Sequence, residues 1–328
     1  MGARLSMDVF TSDRKSFWAN LNAEACRVER LIAGTIAQTF FSSNPALGRA
    51  ILLALAIVAP RLTALGCLGL LLGDVSGKFI SRNEKIRSSG LFALNGWYFG
   101  ISAASFIASG KMAGLVIAGF SPACAVFVVA LDRFLRTWDL PVLVLPYVLS
   151  IWCVQLLSRL NPELAFHVAP SLPDIAGLSA YASLGIGALR GFGQIFFQDN
   201  LLFSAAVVGI LIWFNRGQAL ALIIAALVPT MTGYLTLGHH WAWESGLCSF
   251  GGILIWAARR EQALSVTPSQ YGALILFSGI AELIALQWAA GAGVFSLSLS
   301  YVVLIWMGKL VCETEKAQKS LGPVSMPW

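Results

Sequence analysis

The sequence predicts an all-α integral membrane protein made of two inverted repeats, and three observations support this fold class. Of 328 residues, 57% are hydrophobic and 12% are charged, whereas soluble domains carry about 25% charged residues. The apolar runs are continuous over about 20 residues, as in membrane-spanning helices, and lack the alternation of β-barrel strands. Similar blocks also recur in the second half of the chain. The composition excludes a soluble enzyme, a disordered linker protein and a disulfide scaffold.

Several apolar stretches are long enough to cross a hydrocarbon core of about 30 Å. The first stretch, and those that begin near 90 and 246, contain Gly, Asn or Gln, which favours broken or re-entrant helices that line a cavity. Asn95, Gly96 and Gly100 are expected to mark a close helix approach and a helix break. The stretches lie at approximately 31–41, 46–73, 90–109, 111–131, 140–158, 177–193, 200–214, 217–238, 246–258, 269–290 and 292–312.

The net charge of +6 would suggest nucleic-acid binding in a soluble protein. Here the basic residues cluster outside the apolar runs, where they set topology by the positive-inside rule. We therefore expect no nucleic-acid partner, both termini in the cytoplasm and an even number of spans. Asp132, Arg133 and Arg136 end an apolar stretch and are expected at a membrane interface. The basic clusters contain Arg4, Arg14, Lys15, Arg27 and Arg30; Lys78, Arg82, Lys85 and Arg87; and Lys309, Lys316 and Lys319.

The sequence predicts neither a metal site nor a cofactor. Its six cysteines are scattered without paired spacing and are interpreted as small hydrophobic residues. His239 and His240 are adjacent in a predicted loop, but a third nearby ligand is lacking. The sequence contains no Gly-x-x-x-x-Gly-Lys-Ser/Thr motif for a nucleotide phosphate. Acidic residues among the first 30 positions also argue against a cleavable signal peptide.

Three blocks of sequence recur in order, which indicates an internal duplication. The first pair shares a Gln, two Phe and an Asn, and the third pair is identical at five of eight positions. The separation is 156 positions for the first two pairs and 154 for the third. The paired blocks are 36–44 with 192–200, 90–96 with 246–252, and 145–152 with 299–306.

Each half has room for about five spans. An odd number of spans would place the second half upside down relative to the first, with a substrate site near the membrane midplane where the halves meet. The chain is therefore divided into a cytoplasmic N-terminal segment at 1–30, a first membrane repeat at 31–158, an inter-repeat linker at 159–176, a second membrane repeat at 177–312 and a cytoplasmic tail at 313–328.

Gln38 and Gln194 are the polar residues that recur most clearly at equivalent places. A polar group that faces lipid is costly, so we expect both to line the transport pathway. Phe41 and Phe197 follow three residues later, one helical turn along, on the same helix face. Uncharged amides beside aromatic rings suit a small, planar, neutral solute that forms hydrogen bonds. The alternatives are helix–helix hydrogen bonding for the glutamines and ordinary packing for the rings.

Glu282 is the ionisable residue set most deeply in apolar sequence, and it has no equivalent in the first half. We favour a structural hydrogen bond, a protonated state or a subunit contact over a proton relay. A proton- or ion-coupled secondary transporter on the same scaffold is the alternative function. A membrane-embedded enzyme is disfavoured, because the apolar stretches contain few residues that could form a catalytic cluster.

The repeated motifs resemble those of the urea transporter family. Gln-Thr-Phe-Phe and Asn-Pro-Ala-Leu-Gly within 38–48 resemble the first-half signature of that family. Arg-Gly-Phe-Gly-Gln-Ile-Phe-Phe-Gln-Asp-Asn at 190–200 resembles its second-half counterpart. Leu-Asn-Gly at 94–96 and Leu-Pro-Val-Leu-Val-Leu-Pro-Tyr at 140–147 look like later motifs of the family. The resemblance covers 31–308.

The resemblance implies about ten transmembrane helices plus two half-membrane pore helices. It also implies a homotrimer with one pore per subunit, embedded in the lipid of an inner or plasma membrane. Each pore would pass urea, or a closely similar small neutral amide, passively and without ATP or ion coupling.

The resemblance also implies which residues line the pore. Leu94 stands where the family has an aromatic residue, Tyr98 where it has Leu, and Val144 where it has Thr, so one hydroxyl is missing unless Tyr98 replaces it. Gln38 and Gln194 match the pore-mouth amides of the family. Phe41, Phe197 and Phe250 match its slot aromatics. Leu254 matches its apolar constriction residue, and Ser298 keeps a hydroxyl where the family has Thr.

Overall fold

The computed structural model describes residues 22–161, 164, 179–237, 241–260, 267–292, 294–296 and 298–320. Over these residues the chain is predominantly helical, as the apolar sequence predicts. Most of the predicted N-terminal segment and linker, and the last residues of the predicted tail, lie outside the described residues, as do His167, His239 and His240.

The helices are numbered here in chain order. A 3-10 turn, Arg136–Trp138, extends α6. The α-helices are α1 (22–38), α2 (Pro45–Val58), α3 (Pro60–Ile80), α4 (Glu84–Ser88), α5 (Leu91–Phe106), α6 (Gly110–Leu135), α7 (Leu145–Ser158), α8 (Ala180–Gln194), α9 (Leu201–Phe214), α10 (Arg216–Leu237), α11 (Trp241–Glu244), α12 (Leu247–Arg260), α13 (Pro268–Ala292) and α14 (Leu299–Ser320).

The helices α1–α6 and α8–α13 follow one another in the same order with similar lengths, whereas α14, with 22 residues, is longer than α7, with 14. The helices α2 and α9 both have 14 residues, and each begins after an asparagine. Asn44 accepts a hydrogen bond from the Ala46 backbone, and Asn200 accepts one from the Phe203 backbone. An asparagine at this position satisfies a backbone N–H that the first helical turn leaves unpaired.

The ends of α1 and α8 are alike in detail. Phe41 and Phe197, which follow the two helices, have positive φ angles of 50° and 55°, an uncommon conformation for a residue with a side chain. The helices α5 and α12 each follow a glycine in the left-handed region, Gly90 and Gly246. Such sharp turns let the chain enter and leave the protein interior within a few residues.

The helix α5 lies in the core, because its residues from Phe92 to Ala104 are all buried. Its neighbour α3 approaches it closely: a Cβ placed on Gly69 would lie 2.4 Å from the Gly96 carbonyl oxygen and 2.9 Å from the Gly100 Cα. The predicted close approach at Gly96 and Gly100 is therefore confirmed. The predicted helix break there is wrong, since α5 continues through both glycines to Phe106.

Four helices among the described residues are long and apolar enough to cross a membrane, and shorter apolar helices accompany them. Large apolar side chains such as Phe79 and Trp213, 87% and 86% exposed, face outward. Hydrocarbon is the surrounding in which such a surface is stable. The chain thus has the character of an all-α membrane protein. The four long segments are Pro60–Ile80, Gly110–Trp138, Arg216–Thr236 and Pro268–Ala292.

The contact between α3 and α5 predicts that Gly96→Ala destabilises the protein. A Cβ at Gly96 would lie 2.3 Å from the Gly69 carbonyl oxygen, and overpacking of this kind costs about 1–3 kcal/mol. We expect a lower midpoint of thermal unfolding in detergent. Gly209→Ala is the control, because its Cβ would meet nothing within 4 Å. Equal midpoints for the two variants would contradict the interpretation of this contact.

Candidate functional site

A cavity of about 250 Å³ lies where the two halves of the chain meet. It is lined by the end of α1, the first turns of α5, the last turns of α6, the segment before α7, the middle of α12 and the start of α14. Seven of the ten predicted site residues line it: Gln38, Phe41, Leu94, Tyr98, Val144, Leu254 and Ser298. The other described lining residues are Thr39, Leu91, Asp132, Leu140, Pro141, Val142, Leu143 and Tyr301.

Tyrosine and serine hydroxyls form part of the polar lining of this cavity. The ring of Tyr98 stacks on that of Tyr147, with centroids 5.2 Å apart. The Tyr147 hydroxyl lies 2.7 Å from the Ser298 hydroxyl, with which it forms a hydrogen bond. Tyr98, Tyr301 and Ser298 are all buried. The cavity therefore presents hydroxyl groups, together with the Gln38 amide and the Asp132 carboxylate, among apolar walls.

The segment that carries Val144 is held in place by Asn95 of α5. The Asn95 amide donates to the Leu143 carbonyl at 3.0 Å and accepts from the Tyr147 backbone N–H at 3.2 Å. Leu143 has a positive φ angle of 51°. Non-helical backbone inside a membrane protein needs such partners, so Asn95 fixes the position of Val144 beside the cavity.

The equivalent segment in the second half is held by a different residue. Gly251, which aligns with Asn95 in the repeated blocks, has no side chain to form these bonds. Instead the buried Glu282 of α13 accepts hydrogen bonds from the hydroxyls of Ser296, at 2.9 Å, and Ser300. Glu282 thereby positions the residues on both sides of Ser298. This geometry favours the structural hydrogen bond among the alternatives considered for Glu282.

Two tryptophans cross between the halves beside the same segments. The Trp152 indole donates to the Phe295 carbonyl, and the Trp306 indole donates to the Pro141 carbonyl, both at 2.8 Å. Each indole thus satisfies one carbonyl of the non-helical segment in the opposite half.

A charged pair supports the first of these segments from its outer end. Lys309 of α14 donates to the Asp139 carboxylate at 2.6 Å. The hydrogen bond and the positive charge of Lys309 hold the pKa of Asp139 below its usual value. The first segment is therefore tied to α14 at Asp139 as well as at Pro141.

The two predicted glutamines make equivalent bonds. The Gln38 amide donates to the Ser89 carbonyl at 3.0 Å, and the Gln194 amide donates to the Ser245 carbonyl at 2.9 Å. Each amide thus joins the end of one helix to the turn before α5 or α12. Gln38 also lines the cavity, so its role in helix contacts and its predicted place in the pathway coexist.

Three predicted residues, Gln194, Phe197 and Phe250, do not line this cavity among the residues described. Phe197 packs edge-on against Phe106 at 5.6 Å, and Phe106 stacks on Phe295 at 4.2 Å. Phe250 is buried, 6% exposed. Their assignment to the pathway stays a prediction.

The electrostatics of the cavity suit an uncharged solute. Of its described lining residues only Asp132 carries a charge, and its carboxylate lies 2.7 Å from the Arg136 guanidinium. Asp132 lines the cavity, and its place at a membrane interface stays a prediction. Among the described residues, no group of three or more His, Cys, Asp or Glu could hold a metal ion. A cation would need carboxylates or a ring of carbonyls, and an anion would need basic groups.

Comparison with known sequences identifies the family. A family model described as Urea transporter matches residues 30–311, which is most of the chain. The chain belongs to the urea transporter family. This confirms the resemblance drawn from the repeated motifs.

Curated relatives within the urea transporter family are similar at modest identity. Urea transporter 1 of Ovis aries is 24% identical over 242 residues, 70% of this chain and 62% of that protein. Urea transporter 1 of Mus musculus is 29% identical over 204 residues, 58% of this chain and 52% of its own length. The Rattus norvegicus protein of that name is 27% identical over 259 residues, 74% of this chain and 66% of its own. The chain thus spans less than two thirds of the length of the Ovis aries and Mus musculus proteins.

The sequence did not predict that Tyr301 lines the cavity of this urea transporter family member. The signal was present, because Tyr147 and Tyr301 recur at the same place in the third pair of repeated blocks. The sequence could not show that one of these rings turns its hydroxyl to Ser298 while the other borders the cavity.

The bonds of Glu282 predict different effects for two substitutions. Glu282→Gln can still accept from one serine and donate to the other, so the midpoint of thermal unfolding should change little. Glu282→Leu leaves two buried hydroxyls unpaired, at about 1–3 kcal/mol each, and should lower the midpoint. Glu84→Gln, whose side chain is 81% exposed, is the control. A Glu282→Gln protein that is stable but carries no solute flux would instead indicate that the carboxyl proton is required.

Proposed function

We propose that the protein is a passive, selective channel for urea or a closely similar small neutral amide. The observation that carries this proposal is the cavity between the halves, whose polar groups are hydroxyls, the Gln38 amide and one carboxylate, Asp132, that is paired with Arg136. Hydroxyls and an amide donate to the carbonyl oxygen of urea and accept from its NH2 groups. The apolar walls leave little to attract ions. Membership of the urea transporter family supports the choice of urea.

We further propose that the two halves are inverted repeats of five spans each, giving ten spans with two half-membrane pore helices at α5 and α12. The matched helix order and the paired bonds of Gln38 and Gln194 support this arrangement. In this proposal both termini lie in the cytoplasm and three copies assemble in an inner or plasma membrane, each with its own pore. The second-half residues Gln194, Phe197 and Phe250 line the opposite part of the pathway.

Flux through this pore is driven by the solute gradient and needs no coupling ion and no chemical reaction. Glu282, the buried carboxyl that would suggest proton coupling, is already engaged by two serines. A coupled transporter would respond to a proton or sodium gradient. Flux that follows such a gradient would overturn the channel proposal.

The channel proposal predicts that reconstituted protein passes urea faster than glycerol. Stopped-flow light scattering on proteoliposomes measures both, with thiourea, acetamide and formamide as further solutes. Gln194→Ala and Phe250→Ala should each slow urea, by about fivefold if each removes one contact worth about 1 kcal/mol. Phe79→Ala, on an 87% exposed side chain, should leave the flux unchanged. Urea flux no faster than through protein-free liposomes would contradict the proposal.

Val144→Thr tests the hydroxyl that is missing from the first half. A threonine there would offer the permeating amide one more hydrogen bond, so we expect urea flux to rise by up to about fivefold. Val148→Thr is the matched control, because Val148 is buried one turn further along α7 and does not line the cavity. An unchanged flux for Val144→Thr would indicate that Tyr98 or the backbone already supplies the contact.

A further inference from the structure

Tyr301 is a buried tyrosine that borders the cavity. Its side chain is 2% exposed and lines the cavity beside Ser298. Within the part of the chain that the structure describes, this hydroxyl makes no hydrogen bond. A buried hydroxyl normally has a partner, so its situation needs an explanation.

The two halves make matching contacts with each other at this level of the protein. The bonds from Trp152 to the Phe295 carbonyl and from Trp306 to the Pro141 carbonyl have the same length, 2.8 Å. Their donors are 154 positions apart in the sequence, and so are their acceptors. A contact that one half makes across the cavity is therefore repeated by the other half 154 positions away.

The tyrosines at equivalent positions, Tyr147 and Tyr301, differ in their hydrogen bonds. Tyr147 bonds across the halves to the Ser298 hydroxyl. The positions equivalent to these two are Tyr301 and Val144, again 154 apart. Valine has no hydroxyl, so the second bond cannot form. The Tyr301 hydroxyl is thus left without the partner that its counterpart Tyr147 has.

We propose that the Tyr301 hydroxyl forms a hydrogen bond with the permeating solute and thereby helps to determine which solutes the channel passes. This rests on the proposed channel function. A phenol hydroxyl both donates and accepts, so it can bind the carbonyl oxygen or an NH2 group of an amide. Tyr301 thereby supplies from the second half the contact that Val144 cannot supply from the first.

The test compares urea permeability of proteoliposomes that contain wild type, Y301F or Y271F, with flux normalised to the amount of inserted protein. Y301F removes the hydroxyl and keeps the ring, so we expect about a fivefold loss of urea permeability. Tyr271 is equally buried, 1% exposed, but does not line the cavity, so Y271F should match wild type. Y301F equal to wild type would overturn the inference while the channel function stands. Wild type no faster than protein-free liposomes would overturn the channel function and, with it, the inference.

A double-mutant cycle with V144T distinguishes a solute contact from a general effect on folding. The hydroxyl introduced by V144T should donate to the Tyr301 oxygen, as a hydrogen bond joins the hydroxyls of Ser298 and Tyr147, and should raise the midpoint of thermal unfolding. The introduced threonine oxygen can still accept from the solute, and the Tyr301 hydroxyl can still donate to it. That rise should be absent when Y301F is also present. In the V144T background the loss of urea flux caused by Y301F should be smaller than in wild type. Equal fractional losses in both backgrounds, with no coupling of the midpoints, would overturn the inference.

Discussion

The pairing of backbone groups where the chain leaves its helices deep inside the protein is the constraint on which this structure depends. Hydrocarbon offers no hydrogen bonds, so each unpaired carbonyl or N–H there is costly. The segments before α7 and α14 interrupt the helices beside the cavity, and Asn95, Trp152 and Trp306 satisfy their backbone groups. The cavity can exist because these side chains replace the helical bonds.

The two halves hold these segments with different residues. In the first half Asn95, on α5, bonds the backbone directly, whereas in the second Glu282, on α13, holds the segment through the side chains of Ser296 and Ser300. The duplication therefore preserves the path of the chain more strictly than the side chains that hold it. A carboxyl lies deep in only the second half, where Gly251 offers no amide and Glu282 bonds two serine side chains instead. A buried ionisable residue in a membrane segment indicates a functional site by default. The hydrogen bonds of Glu282 instead favour a structural role.

The sequence predicted much of the fold and a large part of the site. Hydrophobic run lengths indicated membrane helices, and the repeated blocks located Gln38 and Gln194, whose bonds are equivalent. Local patterns could not show that α5 continues through Gly96, because glycine there serves contact with α3 and not a break. Nor could they show Tyr301 beside the cavity. Which side of a ring faces a cavity depends on partners far away in sequence, and no single segment contains that information.

The direct backbone contact between α3 and α5 has a mechanical consequence. Side chains can change rotamer and let helices slide, but at Gly69 and Gly96 main chain meets main chain, and there is nothing between them to rearrange. The cavity wall that α5 forms is therefore backed on its outer side by main chain. A substitution of a residue that lines the cavity can change its shape while α3 and α5 keep their contact.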